Sequence, residues 1–288
     1  MKHKTNKAGV SLSKRSLEKM IANKKALVGL VMLLVMLILS LGAPFFTDCD
    51  PNAIDVAMKY APASAEHPLG CDATGRDLWS RLLYGGRMSI LIGMVSAFLA
   101  ALIGTVLGGI AGYYGGAVDS VILYITEIVQ SFPQTLLILV VMALVGQGVW
   151  IMILIFAFTG WTGSIRMVRS RIMSLKKEPY VDSCRVNGVK DFIIIFRHLL
   201  PNTLGVIILN FTLNVGTYVL SEAALSFLGV GVPKGIPTWG NILNAARSLS
   251  VMQSHPLLWI APGVMISVLV LGINFVGDGL RDVCDVTQ

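Results

Sequence analysis

Apolar residues in this chain mostly run on without the polar interruptions of an amphipathic helix. A helix crossing the hydrocarbon of a bilayer needs about 20 predominantly apolar residues. Runs of that length are Ala26 to Phe46, Met88 to Val118, Ser120 to Ile165 (with Glu127 its only charge), Leu199 to Ser221 and Pro256 to Gly277. The third is too long for one crossing, and Gly146-Gln147-Gly148 divides it into two helices joined by a tight turn. The pattern therefore predicts six transmembrane helices. Leu41-Gly42-Ala43 is a passable small-residue cleavage site. The first run nevertheless exceeds the roughly 7–15 apolar residues of a signal peptide, and further spans follow it, so a retained anchor is expected.

Composition agrees and adds a direction. Of 288 residues, 55% are hydrophobic and 14% charged, with mean hydropathy +0.73, against about 25% charged in soluble domains. A water-soluble globule and a disordered chain are both excluded. The net charge of +7 does not point to nucleic acid, because its distribution is that of the positive-inside bias. Eight Lys and Arg fall within residues 1–25 and eight within 166–198, against six in the segments on the other side. Both termini are expected in the cytoplasm. The organisation predicted is a cytoplasmic N-terminal tail over 1–25 and a six-helix transmembrane domain over 26–285. Its outer loops lie at about 47–87 and 230–255, and one polar inner loop lies at about 167–198. Leu12, Leu17, Met20 and Ile21 in the tail permit an interfacial amphipathic segment, and a basic tail without structure is equally open.

Site chemistry is sparse. No G-x-x-x-x-G-K-[ST] loop, H-E-x-x-H or C-x-x-C occurs, so neither a phosphate cradle nor metal-ligand spacing is found and no metal or catalytic residue is assigned. His3, His67, His198 and His255 are scattered. Cys49 and Cys71 share one outer loop; two free thiols are expected, with a bridge the alternative in an oxidising compartment. Glu127 is the only charge well inside a span, whereas Glu222 and Asp278 sit at span ends where water and headgroups reach. Gly104, Gly108, Gly112 and Gly116 repeat every four residues and line one helix face for close packing, against this chain or another subunit. Pro133 and Pro262 permit kinks.

In the inner loop, Val181, Val186 and Val189 alternate with polar residues over a length sufficient for two short helices, with Pro179 suited to a helix start and Gly188 to a helix end. Glu178-Pro179-Tyr180-Val181-Asp182-Ser183-Cys184-Arg185-Val186-Asn187-Gly188, followed by Leu199-Leu200-Pro201-Asn202, resembles the cytoplasmic EAA loop of ABC importer permeases. In that family the loop forms a coupling helix that enters a groove on the ATPase. Asp182, Ser183 and Cys184 replace the usual Glu-Ala-Ala, while Gly188 and Leu200-Pro201 keep their places. A literal Glu222-Ala223-Ala224 is a decoy, being at the outer end of a span with its next glycine, Gly229, seven residues on.

Other segments are similar to the C-type permease subunit of dipeptide, oligopeptide and nickel importers: His67-Pro68-Leu69-Gly70 through Gly75-Arg76-Asp77, Leu225-Ser226-Phe227-Leu228-Gly229, Pro237-Thr238-Trp239-Gly240-Asn241 and Gly277-Asp278-Gly279-Leu280-Arg281-Asp282. Departures are Cys71 for Thr, Tyr124 for an Arg near Glu127, and Val286 for Pro. Without that Arg, Glu127 is expected to be neutral if buried. The resemblance implies a type I ABC importer permease fold in a bacterial or archaeal inner membrane. It further implies pairing with a homologous B-type permease, two ATPases carrying ATP and Mg, and an extracytoplasmic solute-binding protein. No cofactor or enzyme activity is expected on this chain itself. The implied coupling residues are Asp182, Ser183, Cys184, Gly188, Leu200 and Pro201; the substrate-binding residues stay unassigned. Short peptides are the expected cargo, with nickel or a nickel chelate the alternative. An ion-coupled carrier needs more than one deep carboxylate and is disfavoured, as is a purely structural scaffold.

Overall fold

A computed structural model describes residues 23–285; the possible amphipathic segment of the tail and Val286 lie outside them. The described residues are helical apart from connecting loops, the longest over 47–77, and the only ladder pairing among them is an isolated antiparallel bridge between Cys71 and Asp77. Helix α1 spans Lys24–Leu41, and α2 spans Leu78–Tyr114. Helices α3 (Gly116–Gln130) and α4 (Gln134–Val145) follow, then α5 (Val149–Leu175) and the short α6 (Pro179–Val186). A long rod, α7, runs over Asp191–Phe227, and α8 (Trp239–Ala245), α9 (Leu249–Ser254) and α10 (Leu257–Asp285) complete the chain.

Five of these helices are long and apolar enough to cross a membrane, and α3 with α4 makes a sixth if the bent pair is one crossing. The crossing expected to kink at Pro133 is instead broken by 78°. Ser131, Phe132 and Pro133 leave the helix altogether, because Pro133 offers no N–H to continue the ladder and clashes with the turn before it. At the Gly146-Gln147-Gly148 turn, Gly146 ends α4 at φ +102°, a backbone region costly for any residue with a Cβ.

Several loop boundaries move. The outer loop expected to reach residue 87 ends at Asp77, whose carboxylate accepts from the Ser80 N–H and caps α2 ten residues earlier. Arg81 and Arg87, read as loop charges, lie on that helix. They are accommodated by carbonyls: Arg81 donates to Pro51, and Arg87 to Ser40 and Leu41 at the outer end of α1. The inner loop also shrinks, since α5 continues to Leu175 and α7 begins at Asp191, leaving only residues 176–190 between them. The second outer loop, 230–255, contains α8 and α9 rather than open chain.

Close helix approach is built on small residues. A Cβ on Gly108 would stand 2.8 Å from the Ile165 carbonyl oxygen, and one on Gly112 the same distance from that of Arg169. Gly104 faces Trp161 and Ser164 in the same way. The glycine face therefore packs on α5 of this same chain. Gly116 does not belong to it: it opens α3 at φ +53° with open space around it. Gly29 and Gly272 perform the same service between α1 and α10, a pair too far apart in sequence to be read as a motif. At the inner end of that pair Asn23 donates to Asp282 at 2.9 Å, so the two ends of the described chain meet on one face.

The opposite face is closed by Trp239, fully buried, whose indole N–H donates to the Leu82 carbonyl at 3.0 Å. Its backbone N–H donates to Ser89 Oγ, which donates to Glu222, itself hydrogen-bonded by Ser226. Glu222 was expected within reach of water; it is 0% exposed. The helix α7 turns it toward α2 instead of toward the membrane surface, where two hydroxyls satisfy its oxygens. Glu127 shows the reverse: its side chain is exposed on the surface of the subunit. Cys49 and Cys71 are both free thiols.

Candidate functional site

The inner face carries α6, and its sequence explains its ends. Pro179 occupies the first turn, where its missing N–H costs nothing. At the far end Gly188 takes φ +73°, its N–H donates to the Arg185 carbonyl at 2.9 Å, and the Val189 N–H donates to that of Cys184 at 3.0 Å. These two bonds are a Schellman closure with glycine in the left-handed position. A Cβ at Gly188 would meet nothing within 4 Å, so glycine is required by backbone conformation and not by packing within this subunit.

Packing fixes which side of α6 faces inward. Val181 is fully buried against Tyr113, Val168, Ile172, Ile194, Ile195, Leu199 and Leu200, and Cys184 packs at the edge of that cluster. Val186, expected to share the apolar stripe, is 88% exposed. Five residues of helix rotate by about 140° at 3.6 residues per turn, which carries Val186 away from the face of Val181. Asp182 and Ser183 are exposed as well, with Arg185 held 3.4 Å from Asp182.

The residues implied as a coupling set thus divide by position. Asp182 and Ser183 lie on the outward face, Cys184 is half-buried, and Gly188 closes the helix. Leu200 is buried beneath it as part of the platform. Pro201 is exposed where α7 resumes helical pairing. The stretch Ile194–Leu199 is π-helical, with the Leu200 N–H reaching back to the Ile195 carbonyl at 2.8 Å. This wide turn accommodates Pro201, which has no N–H to donate to the turn behind it. Glu222-Ala223-Ala224 is remote from α6, in the buried network around Trp239.

Sequence reading missed the residues that tie α6 to the spans. Tyr113, at the inner end of α2, donates its hydroxyl to Asp191 at 2.5 Å. Lys176 bonds the Tyr113 carbonyl, and the Arg185 guanidinium lies 5.3 Å from the Tyr113 ring centre. Contact with the Tyr113 hydroxyl is also the main reason the Arg185 guanidinium is held above its ordinary pKa. A bidentate pair between Arg169 and Asp119, both contacts 2.5 Å, ties α5 to α3 nearby. The only sequence signal was an aromatic pair, Tyr113-Tyr114, at the inner end of a span.

A second feature lies at the α3–α4 break. Gln130, Pro133, Gln134, Thr159 and Thr162 line a cavity of about 400 Å³, and Gln134 donates to Thr159 at 3.2 Å. Non-helical backbone at membrane depth persists only where protein or water covers it, so this break belongs to an interface or a wet passage.

The outer loop preceding α2 is organised by Asp72, whose carboxylate takes bonds from the Thr74 hydroxyl and N–H, the Arg76 N–H and the Arg76 guanidinium. Burial alone raises its carboxyl; the Thr74 and Arg76 contacts outweigh it and hold the pKa below the ordinary value. The stabilisation is therefore fully present above the ordinary carboxylate range and lost only as pH falls through the depressed value.

Residues 104–285 match the family described as binding-protein-dependent transport system inner membrane component, and residues 11–63 match the N-terminal transmembrane domain of oligopeptide transport permease C. The oligopeptide transport system permease protein OppC of Bacillus subtilis is 34% identical, covering 98% of this chain and 92% of its own length. The dipeptide transport system permease protein DppC of Alkalihalophilus pseudofirmus is 38% identical over 91% of this chain and 86% of its own. A chain of the inward-facing MetNI methionine ABC transporter superimposes with TM-score 0.57 at 22% identity, over 73% of this chain and 98% of that one. That likeness gives the type I importer permease fold, and the family match places the apolar helices in the inner membrane. The polytopic helical bundle, the capped inner helix and the match over most of the sequence lead to one assignment: the chain belongs to the binding-protein-dependent transport system inner membrane component family, the permeases of ABC importers.

Proposed function

We propose that this chain is the C-type permease of a peptide importer, working with a homologous B-type permease, two ATPases and an extracytoplasmic solute-binding protein. ATP and Mg bind on the ATPases, not here. Closure of the ATPases moves α6, with Asp182, Ser183 and Val186 on the face that meets them. Tyr113, Lys176 and Arg185 pass that movement to α2, and Val181 with Leu200 passes it to α5 and α7. Gly188 keeps α6 short and closed so that it moves as a rigid peg.

Peptide cargo rests first on the likeness, over nine-tenths or more of the chain, to relatives named for oligopeptide and dipeptide transport. The lining of the α3–α4 cavity agrees with it. Amides and hydroxyls of Gln130, Gln134, Thr159 and Thr162 are donors and acceptors suited to a peptide backbone, whereas nickel prefers imidazole or thiolate ligands. The test is uptake by the assembled transporter in vesicles. A labelled dipeptide should accumulate only with ATP, and excess unlabelled dipeptide should suppress it while excess Ni²⁺ does not. Accumulation of nickel with no dipeptide uptake contradicts the peptide assignment.

A further inference from the structure

We propose that Cys49, His67 and Asp77 form a binding site for a borderline-soft divalent cation, best matched by Zn²⁺, that staples the outer loop to the start of α2. One ligand atom from each of the three lies within 4.8 Å of the other two. His67 Nδ1 and Asp77 Oδ1 are 3.0 Å apart. Tetrahedral zinc with bonds of about 2.0–2.3 Å holds its ligands roughly 3.3–3.8 Å from one another. Ligating geometry is therefore reached by a slight opening of the His67–Asp77 pair and an approach of the Cys49 sulfur, with a fourth place left to water.

A plainer account covers only part of the arrangement. Asp77 caps α2 through Oδ2, which accepts from the Ser80 N–H at 2.6 Å, leaving Oδ1 for His67. That explains a carboxylate and an imidazole; it gives no reason for a half-buried thiol aimed at the same point. The three side chains come from separate places: Cys49 just beyond the first span, His67 in mid-loop and Asp77 at the helix start. Local structure holds each in place, since the Cys49 N–H bonds Thr47 Oγ1 at 3.2 Å, the His67 N–H bonds Ser64 Oγ at 3.0 Å and Asp77 pairs across the bridge with Cys71. One sulfur, one imidazole nitrogen and one carboxylate oxygen make a donor set that suits zinc over calcium or magnesium, which take oxygen ligands. The charge is suitable too. Asp77 with an ionised Cys49 carries two negative charges in a partly buried place, and a divalent cation neutralises them.

Spacing could not have shown this site, because its ligands are 18 and 10 residues apart and converge only through the fold. The site is independent of the cargo and of the coupling helix. Its test uses the assembled transporter, purified without chelator under mild reduction, with Co²⁺ as a spectroscopic probe and Zn²⁺ as competitor. The expected result is a thiolate-to-cobalt charge-transfer band at one ion per chain, displaced by Zn²⁺ and retained in Cys71→Ser. The band is lost in Cys49→Ser, and affinity drops about 100-fold in His67→Gln. Elution of each variant as an intact complex verifies folding; should Cys49→Ser fail to assemble, His67→Gln carries the test. Absence of the band, its survival in Cys49→Ser, unchanged affinity in His67→Gln, or a Cys49–Cys71 disulfide in the isolated transporter would overturn the proposal.

Discussion

Replacing Gly188 with valine should reduce ATP-driven uptake by at least about tenfold while leaving membrane insertion intact. The residue sits at φ +73°, where a Cβ costs about 1–2 kcal/mol and a β-branched side chain more. An eight-residue helix has little stability of its own. A penalty of that size at its closure shifts the population able to dock by a factor of ten or more. Asparagine tolerates the left-handed region, so Gly188→Asn should keep most of the uptake. The pair of variants separates conformation from bulk, because the space around Gly188 is open in this subunit. Full uptake by Gly188→Val would remove the coupling role from this helix end.

The second large effect concerns the packing of α2 on α5. At Gly108 an added Cβ would stand 2.8 Å from the Ile165 carbonyl oxygen and 3.1 Å from Val168 Cβ, and the backbone component cannot step aside. Overpacking of this kind costs about 1–3 kcal/mol for the smallest excess, and leucine adds far more volume than alanine. Gly108→Leu should therefore sharply reduce the yield of folded transporter, with Gly108→Ala intermediate. The neighbouring Gly109 is the control: its Cβ would meet only side-chain atoms, Leu200 at 3.4 Å and Ile195 at 3.6 Å, both ordinary contacts. Gly109→Ala should elute with the parent in size-exclusion profiles and melt within a few degrees of it. Equal yields for Gly108→Leu and the parent would contradict close packing along this face.

Why the sequence showed the spans and less of their interior follows from what each depends on. Crossing a bilayer is a property of a contiguous run, so the six apolar segments and the Gly146-Gln147-Gly148 turn were legible. Helix ends depend on where a cap is found, and Asp77 supplies one well outside the apolar run of α2. The inner loop was readable because Pro179 and Gly188 have local reasons for their places. Its anchoring was not, since Tyr113 and Asp191 are 78 residues apart and carry no shared pattern. The burial of Glu222 was hidden for a related reason. Depth along a span is counted from sequence, but the direction a side chain faces is set by packing partners. Val186 shows the limit within one helix, where apolar character alone placed it inside and a 140° rotation places it out.

In the proposed function, α6 is a cytoplasmic lever exposed for a nucleotide-driven partner. The most direct measurement labels a single cysteine, Val186→Cys with Cys49, Cys71, Cys184 and Cys284 replaced by serine, using a membrane-impermeant maleimide. Labelling is expected in inside-out vesicles stripped of ATPases, with protection once the ATPases are bound and none in right-side-out vesicles. Labelling of intact right-side-out vesicles would contradict it.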